Sequence, residues 1–228
     1  MSFLTEEEPR PRALVTAPSA VNWPISRWIR LPHILRPPPD DVAVVMERRR
    51  STRRIDPAPL RETVNLIGWV VARSGISVHQ NIPRSKALAA SAGGLHVVEP
   101  ILIPGSGARA FRFDGSSTQL AILRVAEPDM MDAFRTRVSQ MAPHAVGCHV
   151  IVFAAHMPLA RACYEWADSL VLRDAGALQQ TVHLAAEAFR MAALPLGVLG
   201  REVCGAILPS GTGIEGVGAM LIGRPSFD

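Results

Sequence analysis

Apolar positions fall into two kinds of pattern along the chain. Leu60, Val64, Ile67 and Val71 recur three or four positions apart, which lines one face of a helix, and Gly75 is expected to stop it. The longest helix is predicted over 170–193. Leu178, Val182, Ala185, Ala186, Phe189 and Ala193 form its stripe, and Pro195 is expected to end it. A short helix is predicted over 41–50, with Asp40 or Asp41 as its cap and arginines crowding its end, and another over 129–141. Strand patterns cover 97–103, 109–114 across a Gly105–Gly107 turn, 146–154 and 216–223; a polar loop is expected over 76–91. In the second strand Ala110, Arg112 and Asp114 share one face, and Phe111 and Phe113 the other. Long helices with strands that do not alternate imply an α+β or α/β fold.

Residues 1–40 hold eight of the nineteen prolines and read as an extended arm, leaving 41–228 as the main domain. Trp23 and Trp28 in that arm imply that the stretch after Val21 lies along a folded surface, its own or a partner's. With 228 residues, 48% apolar and 19% charged, the chain can bury a sizeable core. No run is long and apolar enough to cross a membrane, and the acidic start lacks a signal-peptide pattern, so a cytoplasmic location is expected. Cys148, Cys163 and Cys204, odd in number and in apolar contexts, read as reduced buried thiols. The net charge of +4 permits a nucleic-acid role, but the arginines are scattered except at 48–54 and do not interleave with aromatics. A phosphate group suits that cluster better than a polyanion, so no nucleic-acid partner is expected.

Three segments carry candidate chemistry. Arg49-Arg50-Ser51-Thr52-Arg53-Arg54 can grip a phosphate through guanidinium forks, or can merely cap a helix end in water. Ser91-Ala92-Gly93-Gly94-Leu95-His96 lets a flat ligand approach the backbone, or is a plain turn before a strand. Arg173-Asp174-Ala175-Gly176 reads as a turn entering the long helix, and Leu194-Pro195-Leu196-Gly197 as the loop leaving it. The spacings of a dinucleotide fingerprint, a phosphate loop, a nucleophile elbow and a zinc site are missing, and no metal is expected. Cys163, His156 and Asp168 make a thiol site only if the fold joins them, and His183 reads as a satisfied core or interface histidine. Acid–base side chains are sparse and no catalytic residue stands out, which suits a protein whose cofactor carries the chemistry.

Taken in order, these segments resemble the FMN-dependent nitroreductase superfamily. Arg49 to Ile55 resembles its RRSxRxF opening. Ser91 to His96 is similar to the PSAGGLHP segment of its SagB-type dehydrogenase branch, with Ala90 and Val97 in place of the prolines. Tyr164 to Gly197 resembles that branch's Y…DAG…Q…PLGG stretch, and Ile222 to Pro225 its closing vGrP. The resemblance covers about 41–226. It departs in lacking the Lys-Tyr dipeptide of the azoline dehydrogenases, and in carrying Arg190-Met191 where the family has a glycine after the long helix.

The resemblance implies an α+β, nitroreductase-like fold: a mostly antiparallel sheet flanked by helices, in an intertwined homodimer with FMN at the interface. It implies contacts from Arg49, Ser51 and Arg53 to the flavin's phosphate, ribityl chain or N1/C2 edge, with Arg50 between them. Ser91, Ala92 and Gly93 would lie along the ring or ribityl chain, from either subunit. Leu196, Gly197 and Val198 would face the ring near N5, and Arg224 would add a phosphate contact. The implied activity is an FMN-dependent oxidoreductase, a dehydrogenase of a peptide-derived or other natural-product intermediate. The alternatives are an NAD(P)H-dependent reductase of nitro or quinone compounds and a non-catalytic flavin-fold partner subunit.

Overall fold

A computed structural model describes residues 8–31 and 33–226. The strands are β1 (Arg10–Pro11), β2 (Ile25–Arg30), β3 (Ile55–Asp56), β4 (Ser74–His79), β5 (Ile82–Lys86), β6 (Val98–Ile103), β7 (Ala110–Asp114), β8 (Gln119–Leu123), β9 (His149–His156), β10 (Tyr164–Glu165), β11 (Ala192–Leu196) and β12 (Ile214–Pro225). The helices are α1 (Val42–Arg48), α2 (Leu60–Val71), α3 (Pro128–Met141), α4 (Met157–Cys163), α5 (Asp168–Ala188) and α6 (Arg201–Ile207).

The main sheet runs β11-β12-β9-β6-β7-β8-β2, every pair antiparallel, with β3 added to the end of β12. Both of its faces are covered. In β9, Ile151, Phe153 and Ala155 point into a core shared with α2, α4 and α5, while Val150, Val152 and Ala154 point into a second core shared with α3 and α6. This accounts for strands that read as continuous apolar runs: each neighbouring residue serves a different core. Phe111 and Phe113 join the first core and Ala110 the second, as the alternation in β7 predicts.

The helix patterns hold, with shifted ends. The Asp41 carboxylate accepts the Ala43 N–H and caps α1. Helix α2 ends at Ala72, so Gly75 does not stop it; Gly75 lies at φ +57° in β4. The expected polar loop over 76–91 is largely the β4–β5 hairpin, turned at Gln80 and Asn81, both at positive φ. Helix α5 begins at Asp168 and closes before Phe189, so Asp174 lies inside the helix and not in a turn before it. Its end carries the hydrogen bonds of a left-handed cap, Arg190 N–H to the Glu187 carbonyl and Met191 N–H to that of Ala186. Arg190 holds the left-handed position, φ +58°, which glycine adopts without strain. Pro195 does not end the helix. It sits in β11, the edge strand, where a missing N–H is tolerated.

Part of the proline-rich segment joins this chain's own fold. Strand β2 pairs with β8 as the other edge of the sheet, and β1 pairs with β10. Asn65 clamps the backbone of Leu35 from both sides, accepting its N–H at 2.7 Å and donating to its carbonyl at 3.1 Å.

Candidate functional site

The arginine turn is held against β11. Thr52 N–H donates to the Ala193 carbonyl at 3.0 Å, and Ser51 forms a parallel bridge with Ala193. From α5, the ring of His183 hydrogen-bonds the Arg50 carbonyl at 2.9 Å. His183 is buried, which lowers its pKa and keeps it neutral; a carbonyl partner then fixes the proton on Nε2. The guanidinium of Arg50 folds back on the Glu47 and Arg49 carbonyls at the end of α1. Arg49 and Arg53 make no ion pair among the described residues, so both forks are open to an anion.

The bend 196–198 begins at the end of the same strand, about 10 to 16 Å of extended chain from Ala193 at roughly 3.3 Å per residue. Leu196 and Val198 lean toward the core with α3 and α6. Gly197 is exposed, and a Cβ there would meet only Met141 Cε at 3.8 Å. The fold itself does not require glycine at 197. An open backbone surface thus lies four residues along the chain from the point where the arginine turn docks.

The second segment is anchored to α5 by a different residue. Ser91 Oγ donates to Asp174 at 2.6 Å, and the Ala92 N–H donates to both carboxylate oxygens at 3.0 and 3.1 Å. Ser91 Oγ also accepts the His96 N–H at 2.8 Å, so its hydroxyl is engaged inside the loop. Gly93 lies at φ +55°, and a Cβ there would strike Arg84 and the Tyr164 hydroxyl. Gly94, at φ +68°, would place a Cβ 2.7 Å from the Ser85 carbonyl. The left-handed backbone favours glycine at both positions, and at Gly94 the Ser85 carbonyl also leaves no room for a side chain.

One chain thus joins 49–53 with 193–198 and sets 91–93 elsewhere. The anchors Asp174 and His183 are nine residues apart on α5, about 13.5 Å along its axis. Arg224 pairs with Asp56 through the backbone, and its guanidinium is held by both oxygens of Glu62. A phosphate contact by Arg224 is left only the Nη1 hydrogens and one on Nη2, beside a carboxylate that repels an anion. Asp174 was recognisable only as part of the Arg173–Gly176 segment. A sharper signal lay in its position: Val171, Asp174, Leu178 and Val182 form one buried stripe, and a carboxylate on such a stripe must find donors.

Cys163, His156 and Asp168 do not form a thiol site. His156 Nδ1 accepts the Leu159 N–H, Asp168 is held by both arms of Arg161, and burial pushes the Cys163 thiol up.

No protein-family model matches the chain, and no curated protein matches it in sequence. Solved structures do. A protein assigned as a nitroreductase from Ralstonia eutropha JMP134 superposes with a TM-score of 0.64 at 20% identity, over 97% of this chain and 100% of that one. The fold is that of the nitroreductases. A second protein of this fold, from Desulfovibrio desulfuricans and solved in complex with FMN, matches at TM-score 0.53 and 18% identity, over 83% of this chain and 88% of that one. The Escherichia coli microcin synthetase McbBCD complex, with truncated pro-MccB17 bound, contains a chain matching at TM-score 0.58 and 13% identity, over 75% of this chain and 65% of that one. On this nitroreductase fold, no helix among the described residues is long and apolar enough to cross a membrane.

Proposed function

We propose that this chain is a cytosolic, homodimeric, FMN-dependent oxidoreductase of the SagB type, a dehydrogenase acting on a peptide-derived or other natural-product intermediate. The observation that carries the reading is the arginine turn docked on the strand that leads into an unobstructed Gly197 bend. Arg49 and Arg53 would hold the phosphate and the anionic edge of the flavin, where guanidiniums stabilise developing negative charge. His183 fixes the backbone of that turn. Gly197 leaves the ring face clear. A bound flavin would supply hydride exchange at N5.

Asp174 presents the Ser91–Gly93 bend at a separate point on the surface, which suits a flavin shared between two copies of the chain. Two further features support a dimer. Val42 and Met46 of α1 and Leu172 of α5 are exposed apolar residues. Gly176 lies in the interior of α5 with open space where a Cβ would be, a helix-weakening choice that close approach of another backbone would explain.

The purified protein should be yellow, with flavin absorption. Arg49→Ala and Arg53→Ala should each weaken FMN retention by about 1–3 kcal/mol, the worth of a charge-assisted hydrogen bond, measured by equilibrium dialysis. Gly197→Ala should weaken it as well while leaving the unfolding midpoint unchanged. A colourless protein that takes up no added FMN would overturn the reading. Flavin that binds but exchanges electrons with neither NAD(P)H nor dithionite would favour the non-catalytic partner subunit over both the dehydrogenase and the nitro or quinone reductase.

A further inference from the structure

A cavity of about 440 Å³, with no residue of the arginine turn in its lining, lies between the start of β6, the end of β9 and the segment 20–25. Its volume is that of a small-molecule site. Its polar wall is built around one carboxylate and two guanidiniums. Glu99 accepts Arg112 through both oxygens, at 2.7 and 3.0 Å, and Arg73 at 3.4 Å. All three side chains are largely shielded, at 18 to 24% exposure, so the charge is poorly screened by water. On the cavity wall two cations face one anion, a local surplus of one positive charge; Asp114, next on the Arg112 face of β7, lies outside the lining and is engaged by Ser116 and Ser117.

The two histidines on the wall do not cancel that surplus. His156 Nδ1 accepts the Leu159 N–H, so the neutral ring carries its proton on Nε2, which has no partner among the described residues. His96 is tied to the Ser85 carbonyl through its own Nε2. Burial holds both rings toward the neutral form. Unused donors therefore remain on Arg73, on Arg112 and on His156. Trp23 lies under the Arg112 guanidinium, 5.2 Å from its centre, and fixes the orientation of the fork. The rest of the wall is apolar, with Leu95, Val97, Leu159 and Ile214 among its lining.

We propose that this cavity is a binding site for a small organic monocarboxylate, its carboxylate on Arg73 and Arg112 and its apolar body against Leu95, Val97 and Leu159. A planar guanidinium fork matches a carboxylate with two parallel hydrogen bonds. A surplus of one charge balances a monoanion; a phosphate dianion would bring a second, unpaired charge into a shielded space. The apolar lining selects against a small inorganic anion. The site does not depend on flavin binding at the arginine turn.

The test uses the full-length protein with hexanoate as probe and hexan-1-ol as its neutral counterpart. Hexanoate should raise the melting temperature along a saturable curve, as a ligand of the native state does, and hexan-1-ol should not. Arg73→Met should weaken hexanoate by at least tenfold. Equal shifts from acid and alcohol, no shift from either, or an unchanged hexanoate affinity in Arg73→Met would each overturn the assignment. Should that variant fail to fold, a crystal of the wild-type protein with 6-bromohexanoate decides. Anomalous signal from bromine beside Val97 and Leu159 sustains the site, and its absence from the cavity rejects it.

Discussion

Removing the Asp174 carboxylate tests how the Ser91–Gly93 bend is held. The side chain is buried, 8% exposed, and accepts three contacts from two donors, the Ser91 hydroxyl and the Ala92 N–H. A hydrogen bond to a charged group is worth about 1.5–3 kcal/mol, and a buried donor left without a partner costs about 1–3 kcal/mol. In Asp174→Ala the serine hydroxyl can rotate toward another acceptor, but the amide cannot. Relief from burying a charge offsets part of the loss. The net cost should be about 2–4 kcal/mol, a fall of roughly 4–16 °C in Tm for a chain of this size. Asp174→Asn keeps one acceptor for the amide, and its NH₂ can donate to the lone pair of Ser91 Oγ that His96 leaves free, so about half that cost is expected. Ser91→Ala breaks the same link from the other side and also orphans the His96 N–H. Urea unfolding of the two single variants and the double variant gives the coupling, expected at about 1–2 kcal/mol. If Asp174→Ala costs less than about 0.5 kcal/mol, or the two changes simply add, the carboxylate does not anchor the bend.

Further outcomes follow from other parts of the fold. Burial lowers the pKa of His96, His149, His156 and His183, so the folded state binds fewer protons than the unfolded chain. The stability that their neutral forms contribute is complete above pH 6.5 and declines as pH falls from there toward the folded values, by up to about 1.4 kcal/mol per pH unit for each proton. Urea midpoints should therefore drop between pH 7.5 and pH 5, and a flat or rising series would contradict this. Arg190→Gly relieves a left-handed arginine at the end of α5, worth about 1 kcal/mol, against the loss of an exposed ion pair to Asp40; the unfolding midpoint should rise, and a fall would mean that the Asp40 pair matters more. Burial pushes the Cys148 thiol to about 11 and that of Cys204 to about 12, and raises Cys163 as well. Ellman's reagent should find almost no reactive thiol in native protein and all three in urea, and rapid labelling of the native chain would refute their protection.

How much could be read from the chain alone depended on the range of the interactions involved. Helix α2 and the stripe of α5 were legible because the residues that share a face are three or four positions apart. The mixed fold class was implied by β-strand runs that do not alternate, and the three segments by their local chemistry; that those runs divide two cores appears only in the structure. The hairpin β4–β5 was missed because the alternation of Ile76 and Val78 is only two apolar residues long and both are exposed, leaving Ile82 as the hairpin's one buried apolar side chain. Pro195 reads locally as a breaker; only the position of β11 at the sheet edge makes it a strand residue. The pairings that shape the site join residues far apart along the chain: Ser91 with Asp174, Arg50 with His183, Arg224 with Glu62. The amino-acid sequence thus marked four of the six helices among the described residues, missing the short α4 and α6, and singled out the segments proposed to hold a phosphate-bearing ring. Tertiary structure decided which of those groups remain open and which are consumed, because a guanidinium or hydroxyl is available to a ligand only after the folded chain has filled its own hydrogen bonds.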